Sequence, residues 1–558
     1  MVLPSIKKSP VKKIIFSVIF LICLTIQVLP VIRSGINSGD GISFWGPNGH
    51  DGIWHLSLIN HINNPLSIKI PIFSGVYLKN YHPFFDIIIA FLSKITYIPA
   101  SFWLFQIFPL ISASLFIYLS FLLGATLTGK FSGGLLLMVL NSINNSFGWI
   151  VSFFRSGSFE GESLFWAMQA PSNQLNPPFA LSILLLTVLI LILSKHPVIL
   201  SKIHQTVIFL ILILLPVIKI YSAIPAFCLC LIYCLKNRRY LLKLAVNILI
   251  SILLFIRFNP SSHSLLVFKP FWFINSLIES PERLFIPRLA SIRYGFESNG
   301  NQILPLLFIY LLGTLIFIVG NFAWRVLAVF DYLKNKSWLN LGIFLCSLLL
   351  ILIPTLYIQA GTSWNTIQFL YYSLFFLNIP LTHFLIKNSK TWLIIIIAAS
   401  LVPPLIGSLP QFLGNPAPAY IPAAELEALS FLASQKTGTV LTFPYDKFLR
   451  SKFSQTPLPL YAYETTAYVS AYSKHFTYLE DEMNLANSGY DWQTRRLNSL
   501  SFFKRQDVYR DRGFLVNNQI DYIYLVGGQR KFADLNIDNL YLTKIFDNQE
   551  TLIYRVQR

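Results

Sequence analysis

The residues best suited to chemistry lie just after the first long apolar run of this sequence. Between Gly35 and Trp54 the chain places Asp40, His50 and Asp51. Carboxylate and imidazole groups take up and release protons, and they also bind divalent metals. Ionisable side chains are costly at a bilayer boundary. We therefore expect this segment to contain a functional site.

Three long segments are predicted on the same side of the membrane, at 34–100, 152–177 and 257–301. A simple channel or carrier needs few residues there, so we expect these segments to build a site at the membrane surface. The cations of the third segment suit a phosphate or pyrophosphate. The candidate residues are Asp40, His50, Asp51, His55 and His82 in the first segment, Glu160 and Glu162 in the second, and Lys269, Arg283, Arg288 and Arg293 in the third.

Composition indicates an integral membrane protein. Of 558 residues, 54% are hydrophobic and only 12% are charged, and the mean hydropathy is +0.59. This is far more apolar surface than a soluble core requires. All five cysteines lie inside apolar runs, so the sequence predicts neither a disulfide framework nor a CxxC metal pair.

The formal charge of +19 does not indicate nucleic-acid binding. Residues 1–413 contain 27 Lys and Arg against 9 Asp and Glu, whereas residues 414–558 contain 16 against 15. Much of the excess lies in short loops between apolar runs, as the positive-inside rule predicts. We expect a membrane lipid environment and no nucleic-acid partner.

Apolar stretches predict about eleven membrane crossings. Counting them places most basic loops on the side of the N-terminal lysines Lys7, Lys8, Lys12 and Lys13, and the C-terminal segment on the other side. The short run from Phe84 to Ile98 is not counted and is interpreted as a juxtamembrane or re-entrant helix. The runs 205–218 and 221–235 are also short, and a hairpin that does not span remains an alternative. The predicted spans are 14–32, 101–125, 131–151, 178–194, 205–218, 221–235, 240–256, 302–323, 338–358, 365–386 and 391–412.

The ends of the chain complete the predicted organisation. The first span is interpreted as a retained signal anchor with a cytoplasmic N-terminus. After Pro416 and Pro418 we predict a small α/β domain, with a helix near 421–429 and strands near 439–443, 521–526 and 552–556. The predicted fold is thus an all-α polytopic membrane domain at 1–413 followed by an extracytoplasmic α/β domain at 414–558.

Several short motifs resemble the GT-C superfamily of polyprenyl-phosphate-sugar-dependent glycosyltransferases. They are the loop Gly49-His50-Asp51-Gly52-Ile53-Trp54-His55, the entry Tyr81-His82-Pro83-Phe84-Phe85, the stretch Trp364-Asn365-Thr366-Ile367-Gln368-Phe369, and the late segments Tyr522–Gly527 and Leu552–Arg555. Within that superfamily the chain is most similar to the prokaryotic set related to aminoarabinose and mannosyl transferases. The resemblance implies a GT-C-like fold in the plasma (inner) membrane of a prokaryote.

The resemblance also implies a reaction. A sugar would pass from a polyprenyl-phosphate-linked donor to a glycan, lipid or protein acceptor outside the cytoplasm. The carboxylate that takes the acceptor proton falls on Asp51, with Asp40 in reserve, and Glu160 or Glu162 would orient a substrate. Many GT-C enzymes show paired acids in the first loop, whereas this chain has His50-Asp51. Residues implied in substrate binding are His50, His55, His82, Lys219, Lys269, Arg283, Arg288, Arg293 and Gln368.

Simpler explanations stand beside these roles. Asp51 would also serve as a helix cap before Ile53, and His55 as a packing residue. A divalent metal on His50, Asp51 and His55 is an alternative, but it lacks a recognised spacing and is not favoured. The acids and arginines of the other loops would also be explained as solvated or snorkelling charges. The rival functions are a polytopic transporter or lipid flippase and a non-catalytic cell-envelope assembly protein.

Overall fold

The computed structural model describes residues 9–260, 266–298, 300, 302–360, 362–388, 391–453, 455–505, 507–532 and 537–557. Lys7, Lys8 and Lys390, which the topology prediction uses, lie outside these ranges. The chain forms two compact units. The helical unit comprises Met1–Pro30 and Pro109–Pro410, and the sheet unit comprises Val31–Phe108 and Gln411–Arg558. This division differs from the one predicted at residue 413, because the first of the three long segments, 34–100, packs with the C-terminal residues.

The helical unit consists of long apolar helices with polar residues at their starts. Ser201 accepts a hydrogen bond from the backbone N–H of His204, and Asn176 accepts one from Phe179 ahead of two prolines. Fully buried Leu186, Leu229 and Phe376 belong to its core. A short antiparallel pair joins Leu266–Phe268 to Tyr357–Gln359.

The longer helices of this unit are Pro10–Ile32, Phe108–Thr128, Phe131–Ile143, Gly148–Ser156, Pro177–Lys195, Lys202–Ile218, Ile220–Lys236, Leu241–Phe258, Trp272–Glu279, Pro287–Ser298, Ile303–Phe322, Ala328–Lys334, Trp338–Leu356, Gln368–Asn388, Thr391–Ser400 and Val402–Ser408. Single-turn elements lie at Ala170–Leu175, Arg238–Tyr240, Ala323–Leu327, Ser363–Ile367 and Pro410–Leu413.

The described residues form a multi-pass membrane protein. Eight helices are long and apolar enough to span a bilayer, or nine if the bent pair Phe131–Ile143 and Gly148–Ser156 is one span. Lys202–Ile218 and Ile220–Lys236 are apolar but shorter. The predicted number of about eleven crossings is therefore not confirmed. The count of crossings predicts that Arg325 begins a basic loop that ends at Lys336. Arg325 instead lies fully buried in the turn between two helices.

The sheet unit contains two small sheets. The first joins Ile36–Asn37, Gly41–Phe44, Ala419–Pro422 and Leu458–Pro459. The two central strands are antiparallel, and Ile42 lies opposite Ile421. Residues of the segment 34–100 therefore hydrogen-bond directly to the C-terminal residues. The second sheet has five strands, in the spatial order Leu542–Asp547, Thr551–Val556, Ile520–Val526, Thr439–Thr442 and Phe476–Thr477.

Helices surround these sheets. The predicted helix near 421–429 is present at Ala423–Ser434, and the three predicted strands are present within a residue or two of their expected bounds. The sequence from Ile53 to Ile59 predicts an amphipathic helix in the membrane interface. The structure instead makes it a core helix, because every residue from Ile53 to Ile59 is buried. The helical elements are Gly46–Gly49, Asp51–His61, Phe84–Thr96, Ala100–Phe102, Trp103–Ile107, Ala423–Ser434, Lys447–Arg450, Leu460–Tyr463, Tyr468–Ser473, Glu482–Asn487, Trp492–Arg505, Val508–Asn517 and Gly527–Phe532.

Candidate functional site

Asp51 begins the helix Asp51–His61 and points into solvent. His50 occupies the N-cap position and makes no side-chain capping bond. The Asp51 side chain is 53% exposed, and its Oδ1 lies 2.8 Å from Nδ1 of His50. The alternative that Asp51 is the N-cap is therefore wrong. Its negative charge at the first helical position is still favourable toward the helix dipole.

His50 lies buried between two carboxylates. Its Nδ1 bonds Asp51, and its Nε2 lies 3.2 Å from Oδ1 of Asp481 in an ion-pair contact without hydrogen-bond geometry. Burial lowers the pKa of His50, but the two carboxylates outweigh it and hold the pKa well above its ordinary value. We therefore expect an imidazolium at neutral pH, with a buried anion on one side and an accessible one on the other.

Asp481 is the member of this group that the sequence analysis missed. It is 1% exposed, and its backbone φ is +44°, in the left-handed region that non-glycine residues seldom adopt. Its carboxylate caps the helix Glu482–Asn487 by accepting from the backbone N–H of Asn484 at 3.2 Å. A capping signal was visible in the sequence, but nothing local connected it to His50.

Two glycines allow the turn around Asp51 to pack closely. A Cβ on Gly52 would lie 2.6 Å from Cε1 of Phe105, and one on Gly49 would lie 3.2 Å from Cε1 of Tyr463. The first distance is shorter than real Cβ contacts allow, so a larger residue would displace the Phe105 ring. The Tyr463 hydroxyl donates to the carbonyl of Gly46 at 3.4 Å. The C-terminal segment is thus held directly against the turn that presents Asp51.

His55 forms a second imidazole–carboxylate pair, inside the protein. Its Nδ1 lies 2.7 Å from Oδ1 of Asp86, and both side chains are buried. The Tyr81 hydroxyl lies 3.4 Å from the same nitrogen, and the ring of Phe85 packs edge-on against the imidazole. The position of His55 suits packing better than substrate contact, and Asp86 is a core residue of the sheet unit.

Asp40 and His82, the other candidates of the first segment, lie in different surroundings. Asp40 is exposed beside the strand Gly41–Phe44, and its carbonyl accepts from the backbone N–H of Ala423. His82 is half-buried, with its ring 6.5 Å from that of Tyr81.

In the second segment, 152–177, one of the two acids is hydrogen-bonded to residues of the same segment. Glu162 accepts from the backbone N–H of Gln169 at 2.8 Å and from the hydroxyl of Ser172 at 3.0 Å. Burial raises the pKa of Glu162, and these two hydrogen bonds counter the effect. Glu160 is exposed. The structure therefore gives Glu162 a role in ordering the segment 162–172, whereas Glu160 is a solvent-facing charge.

Arg283 of the third segment packs onto the second. Its guanidinium lies 3.8 Å from the ring centre of Trp166 and donates to the carbonyl of Ser163 at 2.8 Å. Arg155 donates to the carbonyls of Arg283 and Phe285. The sequence analysis treated these segments separately, and the structure brings them together within the helical unit.

The remaining cations of the third segment are arranged differently. Arg293 is buried and ion-paired with Glu279 and Glu297, so its charge is already matched by two carboxylates. Arg288 and Lys269 are exposed. Of the four predicted phosphate-binding residues, Arg283 alone is both partly exposed and fixed against an aromatic ring.

Lys219 and Gln368 lie along one row of polar side chains. Lys219 Nζ lies 3.4 Å from Oδ1 of Asn176 and 5.5 Å from the ring centre of Tyr221. The Tyr221 hydroxyl lies 3.4 Å from Nδ2 of Asn365, whose Oδ1 accepts from Gln368. Two substrate-binding candidates far apart in sequence are thus close together. A lysine at this depth requires such polar neighbours.

No group of three or more His, Cys, Asp or Glu side chains among the described residues has the arrangement of a metal site. His50, Asp51 and His55 do not converge, because His50 contacts Asp51 and Asp481 whereas His55 contacts Asp86. The metal alternative therefore has no geometric support in these residues.

No family model and no curated protein matches this chain. Among solved structures, it is similar to the oligosaccharyltransferase of Archaeoglobus fulgidus in complex with Zn and sulfate, at 12% identity and a TM-score of 0.49, over 91% of this chain and 68% of that one. The archaeal oligosaccharyltransferase AglB from the same organism, in complex with an inhibitory peptide and a dolichol-phosphate, is 10% identical with a TM-score of 0.41, over 93% and 70%.

Because both TM-scores lie below 0.5, the similarity carries no argument about which residues of this chain perform chemistry. The functional proposal therefore depends on the side chains themselves.

Proposed function

We propose that this chain is a membrane glycosyltransferase that moves a sugar from a polyprenyl-(pyro)phosphate donor to an extracytoplasmic acceptor. Asp51 acts as the general base. One observation carries the proposal, namely an exposed carboxylate, Asp51, that is held by the buried imidazole of His50, whose other nitrogen contacts the carboxylate of Asp481. A proton acceptor must reach substrate and keep its orientation, and this arrangement provides both.

The proposed step is a single displacement. As the acceptor oxygen bonds to the anomeric carbon, its proton passes to Asp51, and the bond from that carbon to the phosphate oxygen breaks with its electron pair remaining on the phosphate. Asp51 then releases the proton to water, which its 53% exposure permits. The hydrogen bond from Nδ1 of His50 fixes Oδ1 of Asp51 in place for this transfer.

Negative charge develops on the departing lipid phosphate, and cations that meet it there lower the barrier. Within the helical unit we also propose Arg283, beside Trp166, and Lys219, beside Asn176, as residues that bind a lipid phosphate. We further propose that the chain lies in a prokaryotic inner membrane with its N-terminus cytoplasmic and the sheet unit outside.

The test is transfer of radiolabelled sugar from polyprenyl-phosphate donors in membranes containing the full chain. We expect D51N to lower the rate by about 10²–10⁴-fold, the usual contribution of a general base. E427Q is the matched control, because Glu427 is an exposed carboxylate on another helix of the sheet unit. Wild-type transfer by D51N at equal expression would contradict the role of Asp51, and loss in D40N alone would assign the base to Asp40.

The proposed reaction includes no resident metal. Treatment with EDTA should leave transfer unchanged. Loss of transfer with EDTA and its recovery with Mn²⁺ or Mg²⁺ would contradict this part of the proposal.

A second candidate function, transport of an anionic lipid, is favoured by Arg325. This residue is 1% exposed inside the helical unit, where its guanidinium donates to Oδ1 of Asn378 at 3.0 Å and to Oε1 of Gln169 at 3.1 Å. Transporters place ionisable residues at this depth. Lipid movement in proteoliposomes without sugar transfer would support this alternative, and its absence alongside transfer would eliminate it.

A further inference from the structure

A cavity in the sheet unit opens beside Asp481 and has no role in the mechanism above. It encloses about 430 Å³, counting its open mouth, and its lining includes Glu464, Thr466, Asp481, Glu482, Tyr445 and Tyr461. The lining combines carboxylates, hydroxyls and aromatic rings.

Most of the acids around this cavity already have protein partners. Asp481 contacts His50, and Glu482 is ion-paired with Arg496. Glu480 accepts from the backbone N–H groups of Val469 and Ser470 at 2.9 and 3.0 Å. The half-buried Glu464 has no hydrogen bond to any of the residues that the structure describes. Its carboxylate is therefore available to a ligand.

Thr466 gives an independent indication of a ligand. It is 6% exposed and lines the cavity, yet its Oγ1 has no hydrogen-bond partner within the described part of the chain. A buried hydroxyl without a partner is destabilising, so such groups usually bond a protein atom, a water or a ligand. A ligand hydroxyl in the cavity would satisfy it.

The lining also decides which ligand class fits. Four acidic side chains face one small volume, so a phosphate or nucleotide would be repelled. Neutral hydroxyls donate well to carboxylates, and the aromatic rings of Tyr445 and Tyr461, which line the cavity, provide apolar contact for the C–H groups of a sugar ring. A carbohydrate satisfies the carboxylates, the hydroxyl and the rings together.

We propose that this cavity binds a sugar residue of the acceptor, with Glu464 and Thr466 hydrogen-bonding its hydroxyl groups. The inference rests on the proposed glycosyl transfer and assigns its acceptor as a glycan. The cavity reaches Asp51 through contacts already described, because Asp481 on its wall touches His50 and Tyr463, next to Glu464, packs on the turn before Asp51. Acceptor binding and proton removal would therefore share one framework.

The experiment is saturation-transfer NMR on the full chain in detergent, with maltose, mannobiose and chitobiose as probes. We expect at least one disaccharide to bind, and both E464Q and T466V to weaken it about tenfold or more, as expected for lost hydrogen bonds to a charged or buried group. E427Q is the matched carboxylate control. D51N should retain binding, because Asp51 does not line the cavity.

The outcomes separate the two proposals. Binding that survives E464Q and T466V, or preferential binding of spermidine or of a neutral Ser-Asn-Thr peptide, would overturn the glycan assignment. So would the absence of binding by all three disaccharides. Sugar binding that depends on Glu464 in a chain without transfer activity would uphold the cavity and overturn the enzyme proposal.

Discussion

The helix Asp51–His61 carries two imidazole–carboxylate pairs that differ in one decisive respect. In the His50–Asp51 pair the carboxylate is 53% exposed, whereas in the His55–Asp86 pair the carboxylate is completely buried. The Nδ1–Oδ1 distances are nearly equal, at 2.8 and 2.7 Å. The distance between imidazole and carboxylate therefore does not show which pair takes part in chemistry. The exposure of the carboxylate does separate them, because only an accessible carboxylate can act as a base on a substrate.

The surroundings of the two pairs explain the difference. His50 has a second carboxylate, Asp481, on its far nitrogen, whereas His55 is enclosed by Phe85 and the Tyr81 hydroxyl. Burial raises the pKa of Asp86, against the opposing effects of His55 and Tyr81. The buried pair thus stabilises the fold, whereas the exposed pair orients a group toward solvent.

Removal of Asp86 is expected to have the largest effect on stability. D86A leaves a buried imidazole without its partner, and breaking a buried pair costs about 3–5 kcal/mol. The matched variant D51A should cost less than about 1 kcal/mol, because the carboxylate is exposed and His50 keeps Asp481. Thermal denaturation of the full chain in detergent compares the two midpoints. Equal losses would remove the distinction between the pairs.

A third carboxylate, Glu425, has no imidazole partner and sharpens the comparison. Burial raises its pKa to about 7, despite hydrogen bonds from Tyr468 and Tyr524. Since this folded-state pKa exceeds the ordinary 4.5, its contribution to stability is complete below about pH 4.5 and is lost as the pH rises through 7. The loss is on the order of 3 kcal/mol.

E425Q removes this titration while keeping a side-chain oxygen for the Tyr524 hydroxyl. We expect the unfolding midpoint of the wild type to fall more steeply between pH 5 and pH 8 than that of E425Q. Glu480, whose pKa burial also raises to about 7, should leave a residual slope in the variant. Parallel slopes in the two proteins would show that Glu425 is ionised throughout this range.

The smallest effect is expected from D481N, which tests whether Asp481 positions His50. Loss of this anion lowers the pKa of His50, so the imidazolium loses its proton at a lower pH. In a plot of transfer rate against pH, the fall of the rate at high pH should move to lower pH. At the pH where the wild-type rate is half-maximal, the rate of D481N should be about tenfold lower. D491N, an exposed acid of the sheet unit, is the control. If the transfer rate of D481N is lower by the same factor at every pH, Asp481 has a structural role only.

Much of the fold was predictable because local pattern determines it. Long apolar runs form helices wherever backbone groups must bond within the segment, and the strand at Thr439–Thr442 followed from its β-branched sequence. The count of crossings was less predictable, because the helices Lys202–Ile218 and Ile220–Lys236 are short and the segment 131–156 is bent. A hydropathy profile shows how long an apolar run is, but it does not show whether the helix formed by that run is bent.

The candidate site was predicted only in part. Asp51 followed from its position after the first span together with the family resemblance, although its helix begins at Asp51 and not near Ile53 as expected. Asp481 and Glu464 were missed, because their relation to His50 arises from long-range packing. The burial of His55 was also not visible, since the alternation of apolar and polar residues from Ile53 to Ile59 indicated an interfacial helix.

The sequence by itself determined the apolar helices, the strands of the C-terminal segment and the presence of an acid after the first span. These depend on composition and short-range periodicity, which any window of the chain contains. Only the tertiary structure joined the segment 34–100 to the C-terminal residues, through the pairing of Gly41–Phe44 with Ala419–Pro422. That pairing brings His50 to Asp481, and the depth of burial then decides which carboxylate remains accessible to a substrate.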